Sequence, residues 1–176
     1  KWATAFDAIG RVVTETDPTG AKTTYAYDSA TRQVAVTDPV GAKSVTTLDA
    51  LGRPTTVTDP LGAITTAVYD AAGRLTETVD ANGATTLAEY DIAGRLTELT
   101  DALGAVSKAT YDLNGQLTRA TNPLGVVTAY SYNPLGQLTQ VVDGYKPAPT
   151  TSTAVDVNVT TKYTYTVTGL LASTTD

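Results

Sequence analysis

Residues 69–89 read YDAAGRLTETVDANGATTLAE, and residues 90–110 read YDIAGRLTELTDALGAVSKAT. The second stretch restates the first 21 residues later. Extended outward, the same phase starts units at Phe6, Tyr27, Leu48, Tyr69, Tyr90, Tyr111 and Tyr132, and a degraded start follows at Tyr165, 33 residues on instead of 21. An unbroken internal period of this kind marks a repeat architecture, in which each unit stacks on its neighbours.

Each unit has two halves, and most halves open with a turn signal, an Asp followed three residues later by a Gly. The first-half signals are Asp7/Gly10, Asp49/Gly52, Asp70/Gly73, Asp91/Gly94 and Asp112/Gly115. The second-half signals are Asp17/Gly20, Asp38/Gly41, Asp59/Gly62, Asp80/Gly83 and Asp101/Gly104. Asn122/Gly125 and Asn133/Gly136 carry the nearest equivalent. Asp or Asn at the first corner accepts a backbone hydrogen bond from two residues on. Pro at the second corner (Pro18, Pro39, Pro60, Pro123, Pro134) presets φ, and Gly supplies the left-handed residue that returns the chain to a strand. Between turns lie short runs rich in Thr, Val, Leu and Tyr, which are strand formers. No segment has helical periodicity. The reading is all-β: an antiparallel meander of about fourteen short strands, two per repeat. The aromatics Phe6, Tyr27, Tyr69, Tyr90, Tyr111 and Tyr132 then form a column along one turn edge, read as packing.

Composition narrows the chemistry. The 176 residues include no His, Cys or Met, which removes disulfides, thiolate nucleophiles and the usual zinc and haem ligands. Twelve basic against eighteen acidic residues give a net charge of −6, which argues against nucleic acid as a partner. No run of eighteen apolar residues exists, so no transmembrane helix is expected. The chain begins at Lys1 with no signal-peptide pattern, and the simplest reading is an excerpt of a longer polypeptide.

About fourteen strands at roughly 4.8 Å spacing would make a band about 65–70 Å wide. Its connections are uniform hairpins, its apolar alternation is weak, and Ser or Thr recurs at Thr23, Ser44, Thr65, Thr86, Ser107 and Thr128. Such a sheet suits a thin wall that spirals, rather than the core of a small globule. The organisation expected is residues 1–142 as repeats 1–6 and the start of repeat 7, residues 143–164 as an expanded hairpin, and residues 165–176 as a partial repeat 8. Tolerated loop growth or a corner, rather than a ligand site, accounts for the expansion.

The tokens YDxxGRLTxxTDxxGxxT at this period resemble the YD repeats of the Rhs family. That family includes wall-associated bacterial proteins, the B/C components of insecticidal Tc toxins, and animal teneurins. The likeness covers about residues 6–142 and, weakly, 165–176. Leu48 in place of Tyr, Thr31 in place of Gly and Asn133 in place of Asp read as drift at single sites. The resemblance implies a sheet that spirals into a hollow shell, which in toxin members encloses a variable effector.

Other chemistries weigh less. Calcium needs several oxygen ligands in one loop, whereas each turn here offers one Asp, so no metal site is expected. Glu77, Glu89 and Glu98 on neighbouring units could pair as acid and base, but sheet-surface carboxylates are ordinarily solvated. Arg11, Arg32, Arg53, Arg74 and Arg95 recur after the first-half Gly and either grip anionic glycans or pair with turn Asp residues; the second is favoured. Tyr25 and Tyr130 could stack on sugars. The expectation is a non-enzymatic segment without cofactor, secreted or at a bacterial cell surface, walling in an effector. Its partners are further repeats of the parent chain or neighbouring chains. The rivals are a carbohydrate-binding or adhesion module and a filament of continuous repeats.

Overall fold

Each Asp-x-x-Gly or Asn-x-x-Gly turn is closed by the same four hydrogen bonds. In the computed structural model, which describes residues 1–145 and 159–176, Gly73 N–H donates to the Asp70 carbonyl at 3.0 Å, and Asp70 N–H donates to the Arg74 carbonyl at 2.9 Å. Asp70 Oδ1 accepts from Ala72 N–H at 2.9 Å and Arg74 N–H at 2.9 Å. The carboxylate thus does locally what a longer loop would otherwise need several residues to do. The turn sets Gly73 at φ 86°, a left-handed value, and all fourteen glycines share that sign. Gly144 is the member outside the turn slot, and it lies in β14 near a register shift.

Gly20, Gly41, Gly62, Gly83 and Gly104 differ from Gly73 in their surroundings, although the sequence pattern treats them as one set. At Gly73, Gly115 and Gly136 a Cβ would meet a side chain of the preceding repeat, at 3.3, 3.6 and 3.4 Å. At Gly20, Gly41, Gly62, Gly83 and Gly104 it would meet nothing within 4 Å. Those five do not take part in any close approach between repeats. They are required by φ, at 79–93°, and by that alone.

Among the described residues, sixteen strands follow one another in chain order. Contacts divide the chain into two units, Lys1–Thr86 and Leu87–Asp176. The first holds β1 (Ala3–Phe6), β2 (Val12–Thr16), β3 (Lys22–Asp28), β4 (Gln33–Thr37), β5 (Lys43–Leu48), β6 (Pro54–Thr58), β7 (Ile64–Tyr69) and β8 (Leu75–Val79). The boundary falls within β9 (Thr85–Tyr90). The second continues with β10 (Leu96–Thr100), β11 (Val106–Tyr111), β12 (Leu117–Thr121), β13 (Val127–Tyr132), β14 (Leu138–Tyr145), β15 (Val159–Tyr165) and β16 (Leu171–Thr175). Within each unit, every strand pairs antiparallel with its sequence neighbour.

Among the described residues the strands number sixteen rather than about fourteen, because β1 precedes the first turn signal and the degraded repeat still closes a hairpin that adds β16. There Thr166 Oγ1 accepts from Leu170 N–H at 3.1 Å, in the role Asp fills elsewhere. The strands flanking the expansion have eight and seven residues; residues 146–158 of the expanded hairpin lie outside the described residues. Among the described residues none is buried, polar or apolar. Exposure alternates strictly along β3, but not along β2 or β4.

The two turn edges differ. Second-half hairpins close without a slip, as in Thr14↔Thr24 through Thr16↔Lys22. First-half hairpins carry one extra residue on the returning strand: Val68 faces Glu77 and Tyr69 faces Leu75, leaving Thr76 as a bulge. The Thr76 hydroxyl then donates to the Val68 carbonyl at 3.2 Å. Thr55, Thr118 and Thr139 repeat that bond to Thr47, Thr110 and Ser131 at 3.2, 3.0 and 3.0 Å. The Thr of the Gly-Arg-Leu-Thr token is therefore a bulge residue bonded back to the opposite strand.

Replacing Gly73 and Gly94 together by Val forces two β-branched residues to positive φ, at about 1–2 kcal/mol each. At Gly73 a new Cβ also meets Arg53 Nη1 at 3.3 Å. The expected result is loss of the β-sheet signal in far-ultraviolet circular dichroism, with aggregation in sedimentation. An unchanged spectrum and a soluble chain would contradict the turn geometry.

Candidate functional site

The first-half edge carries the chain's charged and aromatic rows. Here the turn carboxylate uses both oxygens. While Oδ1 caps the turn, Oδ2 accepts from the Arg Nε four residues on: Arg11 to Asp7 at 2.7 Å, and Arg53 to Asp49, Arg74 to Asp70 and Arg95 to Asp91 at 2.6 Å each. Second-half turns have Ala in that place, at Ala21, Ala42, Ala63, Ala84 and Ala105. The carboxylates of Asp17, Asp38, Asp59, Asp80 and Asp101 therefore cap their turns without holding a cation. With Gly20, Gly41, Gly62, Gly83 and Gly104 they form the other edge, and the candidate site does not include them.

The held guanidinium groups reach toward the next repeat. Arg11 lies over the Tyr27 ring at 4.2 Å, Arg53 over Tyr69 at 4.5 Å and Arg95 over Tyr111 at 4.6 Å. Arg95 Nη1 also donates to the Asp112 carbonyl at 3.1 Å. The ring's hydroxyl is held too. Tyr27 donates to the Val12 carbonyl at 2.9 Å, Tyr111 to Leu96 at 2.9 Å, Tyr132 to Leu117 at 2.9 Å and Tyr165 to Leu138 at 2.7 Å. These carbonyls belong to the residue just before the bulge, where the ladder to the following strand has stopped; β12 pairs with β13 only from Arg119 onward. The bulge strands a backbone acceptor, and the tyrosine of the next repeat satisfies it. Tyr27, Tyr111 and Tyr132 are therefore clasps between repeats, each bonded to a carbonyl 15 residues earlier.

Past Tyr111 the clasp loses its charge. Gln116 Nε2 donates to the Gly136 carbonyl at 2.9 Å, and Gln137 Nε2 to the Gly169 carbonyl at 3.0 Å. Asn133 Nδ2 donates to Gln137 Oε1 at 2.8 Å in place of the ion pair.

One repeat departs from the pattern, and its changes are linked. Thr31 occupies the Gly slot, and the left-handed residue moves one place on, to Arg32 at φ 53°. That longer loop absorbs the extra residue, so Tyr27↔Val34 and Asp28↔Gln33 pair with no bulge. The ladder to β5 then runs through Gln33↔Thr47, and Leu48 N–H donates to the Arg32 carbonyl at 2.9 Å. With the ladder closed to its end, position 48 has no stranded carbonyl to reach, and it holds Leu. The Thr31 loop and Leu48 thus meet at one junction, where the closed ladder ends.

The remaining candidates have simple environments. Glu98 faces Glu89 across β9 and β10, and Lys108 Nζ answers that like-charge pair with an ion pair to Glu98 at 2.8 Å. Glu77 faces Val68. Tyr25 donates to Glu15 at 2.7 Å, which raises its phenol above the ordinary value, first through that bond. Among the described residues no group of three acidic, His or Cys side chains converges as a metal site.

The RHS Repeat family profile matches residues 6–43, 49–85, 69–106 and 111–147. Among solved structures, a TcdB2–TccC3–Cdc42 complex is similar at 21% identity and TM-score 0.62, over 97% of this chain and 10% of that one. The Photorhabdus luminescens Tc holotoxin pore gives 22% identity and TM-score 0.60, over 93% and 10%. TcdB2–TccC3 without its hypervariable C-terminal region gives 19% and 0.52, over 98% and 11%. The chain thus spans about a tenth of the length of the proteins whose fold it shares. Comparison with curated proteins gives no match.

Two outcomes test the clasps. Tyr111→Phe removes the bond to the Leu96 carbonyl and should cost about 1 kcal/mol in urea unfolding, with the ring contact to Arg95 kept. The carboxyls of Asp7, Asp49, Asp70 and Asp91 are held below their ordinary value, first by the N–H of the following Arg and then also by its side chain. A lowered folded value means the stabilisation is fully present above the ordinary 3.8 and is lost as pH falls through the lowered values. Unfolding midpoints should be level between about pH 7 and pH 5 and drop below about pH 4.

Proposed function

This chain belongs to the RHS repeat family, and from that premise we propose that it is a stretch of non-catalytic wall in a larger secreted or surface-exposed bacterial protein, where it helps enclose a polypeptide effector. One observation carries the reading: none of the described residues is buried, although the strands hydrogen-bond in regular ladders. A sheet without a core of its own is held by its ladders and clasps, and it divides one space from another. The Tc structures that share this fold over about a tenth of their length support the same reading.

The clasp chemistry favours enclosure over adhesion. An adhesive or glycan-binding surface needs free aromatic and Arg groups, whereas Arg11, Arg53 and Arg95 are held by Asp and by rings, and the Tyr25 hydroxyl is held by Glu15. Partners on this reading are further repeats of the same polypeptide and the enclosed segment.

Limited proteolysis of the parent polypeptide tests the assignment. An enclosed segment should survive protease while the wall is intact and become cleavable once Gly73→Val and Gly94→Val open it. Equal digestion before and after would reject enclosure, and saturable binding to immobilised glycans in that case would favour adhesion.

A further inference from the structure

The row of stacked rings has a gap at the divergent repeat. Arg11, Arg53 and Arg95 each lie over the tyrosine that opens the next repeat, but the residue opening the repeat after Arg32 is Leu48. Arg32 Nε donates to the Leu48 carbonyl at 3.3 Å, which keeps the guanidinium beside that position. A cavity of about 420 Å³ opens there, with Arg11, Tyr27, Asp28, Arg32, Leu48 and Asp49 among its lining residues. Its size falls within the range of small-ligand sites, about 300–1,000 Å³.

We propose that this cavity binds an aromatic side chain presented by a polypeptide, seated against the Arg32 guanidinium where the repeat's own tyrosine is missing. The cation supplies the attraction, as it does for the rings of Tyr27, Tyr69 and Tyr111. A hydroxyl is not needed, because the closed β4–β5 ladder strands no carbonyl, so a phenyl ring fits as well as a phenol. The lining carboxylates of Asp28 and Asp49 disfavour an anion. They are themselves occupied: Asp28 Oδ1 accepts from Ala30 and Thr31 N–H, and Asp49 from Leu51 and Arg53. A sugar ring would stack on an aromatic face, and one face of Tyr27, the aromatic residue of the lining, already carries Arg11 at 4.2 Å. The site goes beyond the wall assignment and is tested apart from it, because ring binding can be measured whatever the wall encloses.

The test titrates the isotope-labelled 176-residue chain with N-acetyl-L-tyrosinamide, following the Arg32 Nε–Hε resonance and the Leu48 methyls by NMR. Binding should saturate with a dissociation constant on the order of 1 mM. Leu48→Tyr restores the common residue of the repeat, fills the cavity and should weaken binding about tenfold or more. Arg32→Gln removes the cation, with a side chain that already stands in the equivalent slot at Gln116 and Gln137, and should also weaken binding. Three results would overturn the proposal: no saturable shift, equal affinity in Leu48→Tyr, or the same shifts from methyl N-acetylglucosaminide, which would make it a sugar site.

Discussion

The fold depends on what one aspartate does with two oxygens. Oδ1 of Asp91 accepts from Ala93 and Arg95 N–H and so fixes the turn, while Oδ2 holds the Arg95 guanidinium over Tyr111. The same carboxylate thus closes a hairpin and orients the cation that joins this hairpin to the next. Where none of the described residues is buried, such a group replaces part of what buried side chains contribute elsewhere. Exposed ion pairs add little singly. Here the guanidinium is constrained from both sides, so less side-chain freedom is lost for each contact it makes.

The bulge gives the aromatic column its purpose. An extra residue at Thr118 stops the ladder short and leaves the Leu117 carbonyl without a strand partner. Tyr132 supplies the missing donor at 2.9 Å. Aromatic bulk alone would have allowed Phe throughout, and Phe6, on the first strand, is where the column has it. The Tyr of the repeat is thus set by backbone accounting as much as by packing.

Much of this was legible in the sequence, and the limit of legibility is physical. Asp-x-x-Gly with Pro at the second corner is a local signal, because turn conformation is decided by its own four residues. That same locality hides the difference between the two edges: Gly62 and Gly73 sit in near-identical tokens, yet only Gly73 has a side chain of another repeat beside it. The column of Phe6, Tyr27, Tyr69, Tyr90, Tyr111 and Tyr132 follows from period alone. The bulge does not, since it exists only once two strands have chosen a register. The pairing of Arg11 with Tyr27 likewise depends on how far the ladder extends before it opens. One trace of it does lie in the sequence: Thr31 and Leu48 depart from the repeat seventeen residues apart, close to the sixteen that separate Arg11 from Tyr27. Strand count fell short at both ends, because β1 precedes the first turn signal and Thr166 caps the last hairpin with a hydroxyl, a weaker token than Asp.

The divergent hairpin has a consequence for how the chain finds its register. In a run of near-identical hairpins, a strand displaced by a full period meets almost the same partners, so slipped pairings are close competitors of the native one. The β3–β4 hairpin breaks that degeneracy. Its loop is one residue longer, its strands pair without a bulge, and Leu48 fits beside it because no carbonyl there is left open. Shifting the neighbouring strand by one repeat would set a tyrosine hydroxyl against a closed ladder and a leucine against a stranded carbonyl. The irregular repeat therefore serves as a landmark along an otherwise self-similar chain, from which the strands on either side can be counted.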